Sequence, residues 1–125
     1  MRVLITGDRN GFDALSIEDA LRYLPLDTVI IHGGARGVDT LAGQIAEIRG
    51  LEVNVVPADW KKLGKAAGNI RNQQMLTRKP DLVLAFHRSI WTSKGTKHMI
   101  EIARKAGVPV VLISQEGKPL PSGTN

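Results

Sequence analysis

The stretch TVIIHGGARGVDTLA, residues 28–42, decides how this chain folds. An apolar strand over residues 28–31 runs into Gly33 and Gly34, and a helix follows with apolar or small residues on one face. Such a turn can present backbone N–H groups to an anion, so a phosphate or a nucleotide is the first ligand to consider. Turn formation alone explains the glycines equally well. The spacing matches neither the dinucleotide fingerprint nor the P-loop.

The rest of the chain repeats this alternation of strand and helix. Apolar runs predict strands over residues 3–6, 28–31, 52–56, 81–86 and 108–113. Helical spacing predicts helices over residues 16–24, 36–49, 66–78 and 94–106, with Ser16 as the first N-cap and a loop of roughly ten residues before the third helix. The pattern predicts an α/β fold with a doubly wound, mainly parallel sheet of about five strands and helices on both faces.

Length and composition narrow the classes of function. The 125 residues suit one domain, which we place at residues 1–114, with a loosely ordered tail at 115–125. Apolar runs are far too short to span a membrane, and no signal peptide is expected, so we expect a cytoplasmic protein. The chain has no cysteine, and its three histidines lack metal-site spacing. We therefore expect neither a metal nor a cofactor.

The net charge is +5, with much of the excess in residues 61–79. This charge either serves solubility or indicates an anionic partner, namely a nucleotide or a nucleic acid. Aromatic residues make up only 4% of the chain, which is too few for a broad surface on which bases stack.

Polar and glycine-rich segments follow the predicted strands, where ligands bind in parallel sheets. Together with residues of the predicted helices, these segments give the candidate ligand-binding residues Gly7, Asp8, Arg9, Gly33, Gly34, Ala35, Arg36, Asp39, Arg71, Asn72, Lys94, Gly95 and Thr96. Thr96 and Gly95 open a helix whose N-terminus suits a phosphate, although Thr96 also serves as a modest N-cap.

Arg71 is the strongest single candidate. It shares a helix face with Ala67 and Met75, so it should point toward the protein, where a guanidinium needs an anion. That anion is either a ligand phosphate or an internal carboxylate such as Asp39. Asp39 either stabilises the first turn of its helix or contacts a sugar hydroxyl and orients Arg71. Neighbouring Asn72 either caps a loop or hydrogen-bonds a ribose or base.

Three further side chains lie near these segments. Trp60 and Trp91 fall in predicted loops and either stack on a base or pack against the core. His98 lies outside the predicted buried stripe of the last helix, so we expect it to face solvent, as we do for Glu101.

Several segments in this order resemble the SLOG superfamily, in particular its small YspA-type, cpYpsA-related branch of phages and bacteria. They are Ile5–Arg9, His32–Asp39, Ala58–Trp60, Gly64–Gly68, Ile70–Met75, Pro80–Asp81, Ala85–Phe86 and Lys94–Thr96, and the resemblance spans residues 2–113. It implies a Rossmann-like fold and a nucleotide or nucleotide-derived ligand, with frequent homo-oligomers. It also implies that Gly33, Gly34, Arg36, Arg71, Gly95 and Thr96 line the ligand site.

The chain departs from one group of relatives, the LOG-type phosphoribohydrolases that cleave the N-glycosidic bond of nucleoside monophosphates. Those enzymes carry a Gly-Gly-x-Gly-Thr motif with a glutamate three residues later. Here Trp91 and Thr92 replace the glycine pair, and Met99 stands at the glutamate position. Glu101 is two residues away, a turn of about 200° on a helix, and cannot substitute.

The sequence thus supports three functions. The first is binding of a nucleotide or nucleotide-derived ligand in a sensor, carrier or sequestering role. The second is N-glycosidic hydrolysis, with Asp39 and Arg71 as catalytic residues and Asp8 as the alternative carboxylate in place of the missing glutamate. It leaves open whether the protein is an enzyme. The third is binding of single-stranded nucleic acid, as in the related DNA-processing protein of natural transformation, with affinity that falls steeply with salt.

Overall fold

The computed structural model describes residues 1–9, 12–87 and 94–113. Five strands form one sheet in the order β3-β2-β1-β4-β5, and every neighbouring pair is parallel. The strands are β1 (Arg2–Gly7), β2 (Val29–His32), β3 (Glu52–Val55), β4 (Leu82–Phe86) and β5 (Val110–Ile113). The strand order reverses between β1 and β4, which is where a doubly wound sheet opens a crevice for ligands.

Five helices connect these strands in the described residues. They are α1 (Ala14–Arg22), α2 (Val38–Ile48), α3 (Trp60–Leu63), α4 (Ala67–Leu76) and α5 (Lys94–Lys105), with a 3₁₀ turn at Gly64–Ala66 before α4. None of the helices in the described part of the chain is long and apolar enough to cross a membrane. The prediction of one unstructured loop after β3 is wrong, because α3 and the 3₁₀ turn occupy that segment. Asp59 makes α3 possible, since its side chain accepts a hydrogen bond from the backbone N–H of Lys62.

The start of α1 also differs from its prediction. The N-cap is Asp13, whose side chain accepts a hydrogen bond from the backbone N–H of Leu15, and not Ser16. Ser16 lies inside the helix and is buried. At the other end of the chain, β5 begins at Val110 instead of Val108. The backbone N–H of Val108 donates to the carbonyl of Ala103 and so belongs to the end of α5.

The core has a layer on each face of the sheet. Alternate β1 residues point to opposite faces: Val3 and Ile5 pack with the cluster that includes α1 and α2, whereas Leu4 packs with the cluster that includes α4 and α5. Both faces of the sheet are therefore covered by helices, and the inner strands β1 and β4 are buried on both sides. This arrangement leaves the carboxyl ends of the strands as the exposed edge at which polar loops gather.

Candidate functional site

A groove lies at the carboxyl ends of the strands. Its larger part, the main lobe, is a cavity of about 730 Å³. A smaller cavity of about 380 Å³, the side lobe, adjoins it at the ends of β2 and β3. The lobes share the lining residues Arg9, Ala35, Arg36, Trp60 and Arg71. They therefore form one continuous groove, and the main lobe has the size of a typical small-molecule site.

The groove brings together residues that are far apart in the chain. The predicted residues in the main lobe are Gly7, Asp8, Arg9, Ala35, Arg36, Asp39, Arg71, Asn72, Lys94, Gly95 and Thr96. Gly33 and Gly34 line the side lobe instead. Among the described residues, the main lobe has five cationic residues (Arg9, Arg36, Lys65, Arg71 and Lys94) and two carboxylates (Asp8 and Asp39). This excess of positive charge suits an anionic ligand.

Arg71 lies at the junction of the lobes on α4, with its side chain largely buried. Its Nη1 donates to the carbonyl of Gly33 at 2.7 Å, and its Nε donates to Oδ1 of Asn72 at 3.2 Å. Burial lowers the pKa of Arg71, whereas the charge of Asp39 opposes that shift. A Cβ at residue 33 would collide with the guanidinium, so this close approach requires Gly33.

Asp39 fixes the conformation of the glycine turn from the first turn of α2. Its Oδ2 accepts hydrogen bonds from the backbone N–H of Gly33 at 3.1 Å and of Ala35 at 3.3 Å. The side chain is buried, and this desolvation raises its pKa to about 6 despite the two hydrogen bonds and the charge of Arg71. Asp39 thus holds the turn directly and influences Arg71 through its charge.

The same hydrogen bonds correct one part of the prediction. The sequence suggested that the glycine turn offers bare N–H groups to an anion. In the structure, the N–H groups of Gly33 and Ala35 donate to Asp39, and that of Gly34 donates to Nδ1 of His32 at 3.0 Å. These three N–H groups therefore already have acceptors inside the protein. What the turn offers to a ligand is the backbone surface of the groove and the side chain of Arg36.

The loop after β1 is joined to the start of α2. The backbone N–H of Val38 donates to the carbonyl of Asp8 at 3.1 Å, and that of Asp8 donates to the carbonyl of Phe86 at 3.2 Å. Gly37 allows this packing with a φ of 84°, because a Cβ there would collide with the carbonyl of Asp8. The loop consequently brings Asp8 and Arg9 into the main lobe.

The N-terminal turn of α5 forms the opposite wall. Nδ2 of Asn72 donates to the carbonyl of Gly95 at 3.1 Å and lies 3.0 Å from Nδ1 of His98. Asn72 therefore connects Arg71 to α5. The expectation that His98 faces solvent is wrong, because His98 is half-buried and lines the main lobe. Glu101 is exposed as expected. His98 follows Gly95 by three residues, and this helical spacing could have indicated its place.

Other lining residues were not predicted as site residues. They are Thr6, Lys65, Gly68, Asn69, Met75 and His98, whereas Trp60, predicted either to stack on a base or to pack against the core, also lines the main lobe. Lys65, Gly68, Asn69 and Asn72 follow the spacing of one helical face, so the predicted site residue Asn72 could have indicated the other three. Trp91 lies outside the described residues, as does the predicted tail at 115–125.

The parallel order β3-β2-β1-β4-β5, with helices on both faces, defines a Rossmann-like α/β domain. Solved structures agree with this class. DNA processing protein A (DprA) from Streptococcus pneumoniae superposes with a TM-score of 0.75 at 22% identity, over 90% of this chain and 50% of that one. The chain thus spans about half the length of DprA. The protein TM1055 superposes with a TM-score of 0.67 at 21% identity, over 98% of this chain and 86% of that one.

Sequence comparison gives the family. The profile of the YspA, cpYpsA-related SLOG family matches residues 1–63. The Gene 61 protein of Mycobacterium phage D29 is 42% identical over 119 residues, which cover 88% of this chain and 94% of that protein. The chain belongs to the YspA, cpYpsA-related SLOG family, and the predicted resemblance is confirmed.

Proposed function

We propose that this protein binds a nucleotide or nucleotide-derived ligand in the groove and acts as a sensor, a carrier or a sequestering protein. The observation that carries the proposal is the buried guanidinium of Arg71 at the junction of two lobes with a cationic lining. Among the described residues, its hydrogen bonds use Nε and Nη1, so Nη2 is available to an incoming phosphate.

The parts of the groove have different roles in this proposal. The phosphate lies against Arg71 and the N-terminus of α5, where Gly95, Thr96 and Lys94 line the main lobe. Asp8 and Arg9 contact the ribose or the base. Asn72 positions Arg71, because its amide group already joins Arg71 to Gly95 and His98.

The test begins with native mass spectrometry of freshly purified protein, which detects a co-purified nucleotide and also tests the expected homo-oligomer. Calorimetric titration with a nucleotide panel then compares the wild type with Arg71→Ala and Arg71→Lys. A charge-assisted hydrogen bond contributes about 1.5–3 kcal/mol, so Arg71→Ala should weaken binding about 10- to 100-fold. Arg71→Lys should recover part of this loss, since it keeps the charge without the planar fork.

The matched control is Arg104→Ala, which removes the same charge from an exposed position in the last turn of α5. Its affinity should equal that of the wild type. A wild type that binds a nucleotide, together with an Arg71→Ala variant of equal affinity, would show that the site is assigned wrongly. Thermal unfolding of each variant separates lost binding from lost folding.

A hydrolase is a second candidate because Asp39 is a buried carboxyl with a pKa of about 6 beside the groove, as a general acid requires. Two observations favour binding over turnover. Oδ2 of Asp39 already accepts two backbone hydrogen bonds, and Met99, at the glutamate position of the phosphoribohydrolases, is fully buried in the core. Release of free base by the wild type but not by Asp39→Asn would favour the hydrolase.

Binding of single-stranded nucleic acid is a third candidate, favoured by the exposed lysines Lys61, Lys62 and Lys65 beside the groove. Lys65 lines the main lobe itself, so a strand in the groove would contact this lysine. Affinity for an oligonucleotide should then fall steeply with salt as counterions are released. Tight binding that is insensitive to salt would contradict this candidate.

A further inference from the structure

Trp60 is a large apolar side chain that the fold leaves about half exposed, with 49% of its surface accessible. It opens the short helix α3, whose start is fixed by the Asp59 cap. Trp60 lines both lobes of the groove, and no other Phe, Tyr or Trp does so among the residues that the structure describes. An exposed indole beside a polar, cationic groove needs a reason other than core packing.

The ring is held in a defined position. A Cβ at Gly68 would lie 3.2 Å from Cη2 of Trp60, so the indole edge rests against the backbone of α4 at a residue without a side chain. On its face, the guanidinium carbon of Arg9 lies 5.6 Å from the ring centroid in a cation–π contact. Because Arg9 also lines both lobes, the ring face is accessible from the groove.

We propose that Trp60 is the residue on which the base of the ligand stacks, and that Arg9 occupies the base position until the ligand arrives. This inference rests on the proposed function. A guanidinium and a nucleobase are both planar groups that stack on an indole. Base–aromatic stacking is stronger than an exposed cation–π contact, so the base displaces Arg9. Arg9 remains in the same groove and donates hydrogen bonds to the ribose, in agreement with the role proposed for it above.

The proposal predicts that Trp60 contributes to nucleotide binding and not to phosphate binding. Trp60→Leu should weaken nucleotide binding about tenfold or more, whereas Trp60→Phe should retain most of the affinity, because a phenyl ring also stacks. Affinity for inorganic pyrophosphate should be the same in all three proteins. The matched control is Leu63→Ala, an exposed apolar residue of the same helix that does not line the groove. It should bind nucleotide like the wild type.

Fluorescence provides an independent readout. The chain has two tryptophans, so Trp91→Phe leaves Trp60 as the sole indole reporter. Nucleotide should quench this emission strongly, and pyrophosphate should change it little, because only the base reaches the ring.

The possible outcomes separate the inference from the proposed function. If nucleotide binding depends on Arg71 but is unchanged in Trp60→Leu, the stacking inference fails and the proposed function stands. If Trp60→Leu loses nucleotide and pyrophosphate binding equally, or Trp60→Phe is as impaired as Trp60→Leu, Trp60 only supports the groove and the inference fails. If the wild type binds no nucleotide, the proposed function fails and the inference fails with it.

Discussion

Two backbone N–H groups of the glycine turn donate to a single oxygen of Asp39. Holding the turn in this way requires a buried carboxylate, and burial disfavours its charge. The hydrogen bonds favour the ionised carboxylate, but desolvation outweighs them and raises the pKa from 3.8 to about 6. Arg71 compensates part of that cost through its charge. The turn is therefore held by a carboxylate that is protonated more easily than an exposed one.

This shift predicts how stability depends on pH. Between pH 3.8 and about 6, the folded protein keeps a proton that the unfolded chain releases, so the contribution of Asp39 to stability falls as pH rises through that window. The full shift corresponds to about 3 kcal/mol, by the conversion of pKa units to free energy. Asp39→Asn does not titrate and keeps one acceptor oxygen for the turn.

We therefore expect the free energy of unfolding of the wild type, minus that of Asp39→Asn, to decrease from pH 4 to pH 7 by roughly this amount. Denaturant unfolding of both proteins at four or five pH values provides the measurement. A difference that is independent of pH would show that Asp39 has an ordinary pKa in the folded protein.

Helix α1 shows why the sequence analysis assigned the N-cap to the wrong residue. Ser16 has the residue type of an N-cap, but its hydroxyl donates to Oδ2 of Asp13 from inside the helix. Asp13 is preceded by Phe12 and followed four residues later by Ile17, and both apolar residues belong to the same core cluster. This is the spacing of a hydrophobic staple around an N-cap at Asp13, a signal present in the sequence.

The assignment of Asp13 as the N-cap of α1 can be tested by mutation. Asp13→Ala should lower the free energy of unfolding by about 1 kcal/mol, because the backbone N–H of Leu15 loses its acceptor. Ser16→Ala should cost less, since it removes a hydrogen bond that does not cap the helix. Denaturant unfolding of the two variants beside the wild type measures both effects. A larger loss in Ser16→Ala would restore Ser16 as the residue that stabilises the helix start.

For the whole molecule, the sheet buries histidines at the carboxyl ends of two strands. His32 ends β2, and His87 follows β4 with both ring nitrogens lacking a hydrogen-bond partner among the described residues. Burial lowers the pKa of both side chains. Burial thus keeps the His87 ring neutral at a pH where an exposed histidine is charged.

These histidines predict a loss of stability in mild acid. Below pH 6.5 the unfolded chain binds protons that the buried rings do not yet bind, so the contribution of these histidines to the free energy of unfolding falls as pH decreases. His87→Leu removes one such group while keeping an apolar side chain of similar size. The variant should lose less stability than the wild type between pH 7 and pH 5, measured by denaturant unfolding. An equal loss in both proteins would contradict this role for His87.

Much of the fold could be predicted because burial imposes a local period on the sequence. The apolar runs at residues 3–6 and 28–31 indicated strands buried on both faces, and their alternation with helices indicated a parallel sheet. The same reasoning placed Arg71 on the inward face of its helix, where the structure has it. Helix ends were less accurate, because capping depends on a single side chain and several nearby residues have a suitable type.

The sequence by itself determined the class of fold, the family, and the loops that meet at the carboxyl edge of the sheet. The tertiary structure alone decided how those loops are connected. Arg71 donates to Gly33, which is 38 residues away, and Asn72 reaches Gly95, which is 23 residues away. The tertiary structure also decided that the N–H groups of the glycine turn donate to Asp39 and His32 inside the protein. The reason is physical: periodicity reports which face of an element is buried, whereas a hydrogen-bond partner depends on where distant elements meet once the sheet has formed.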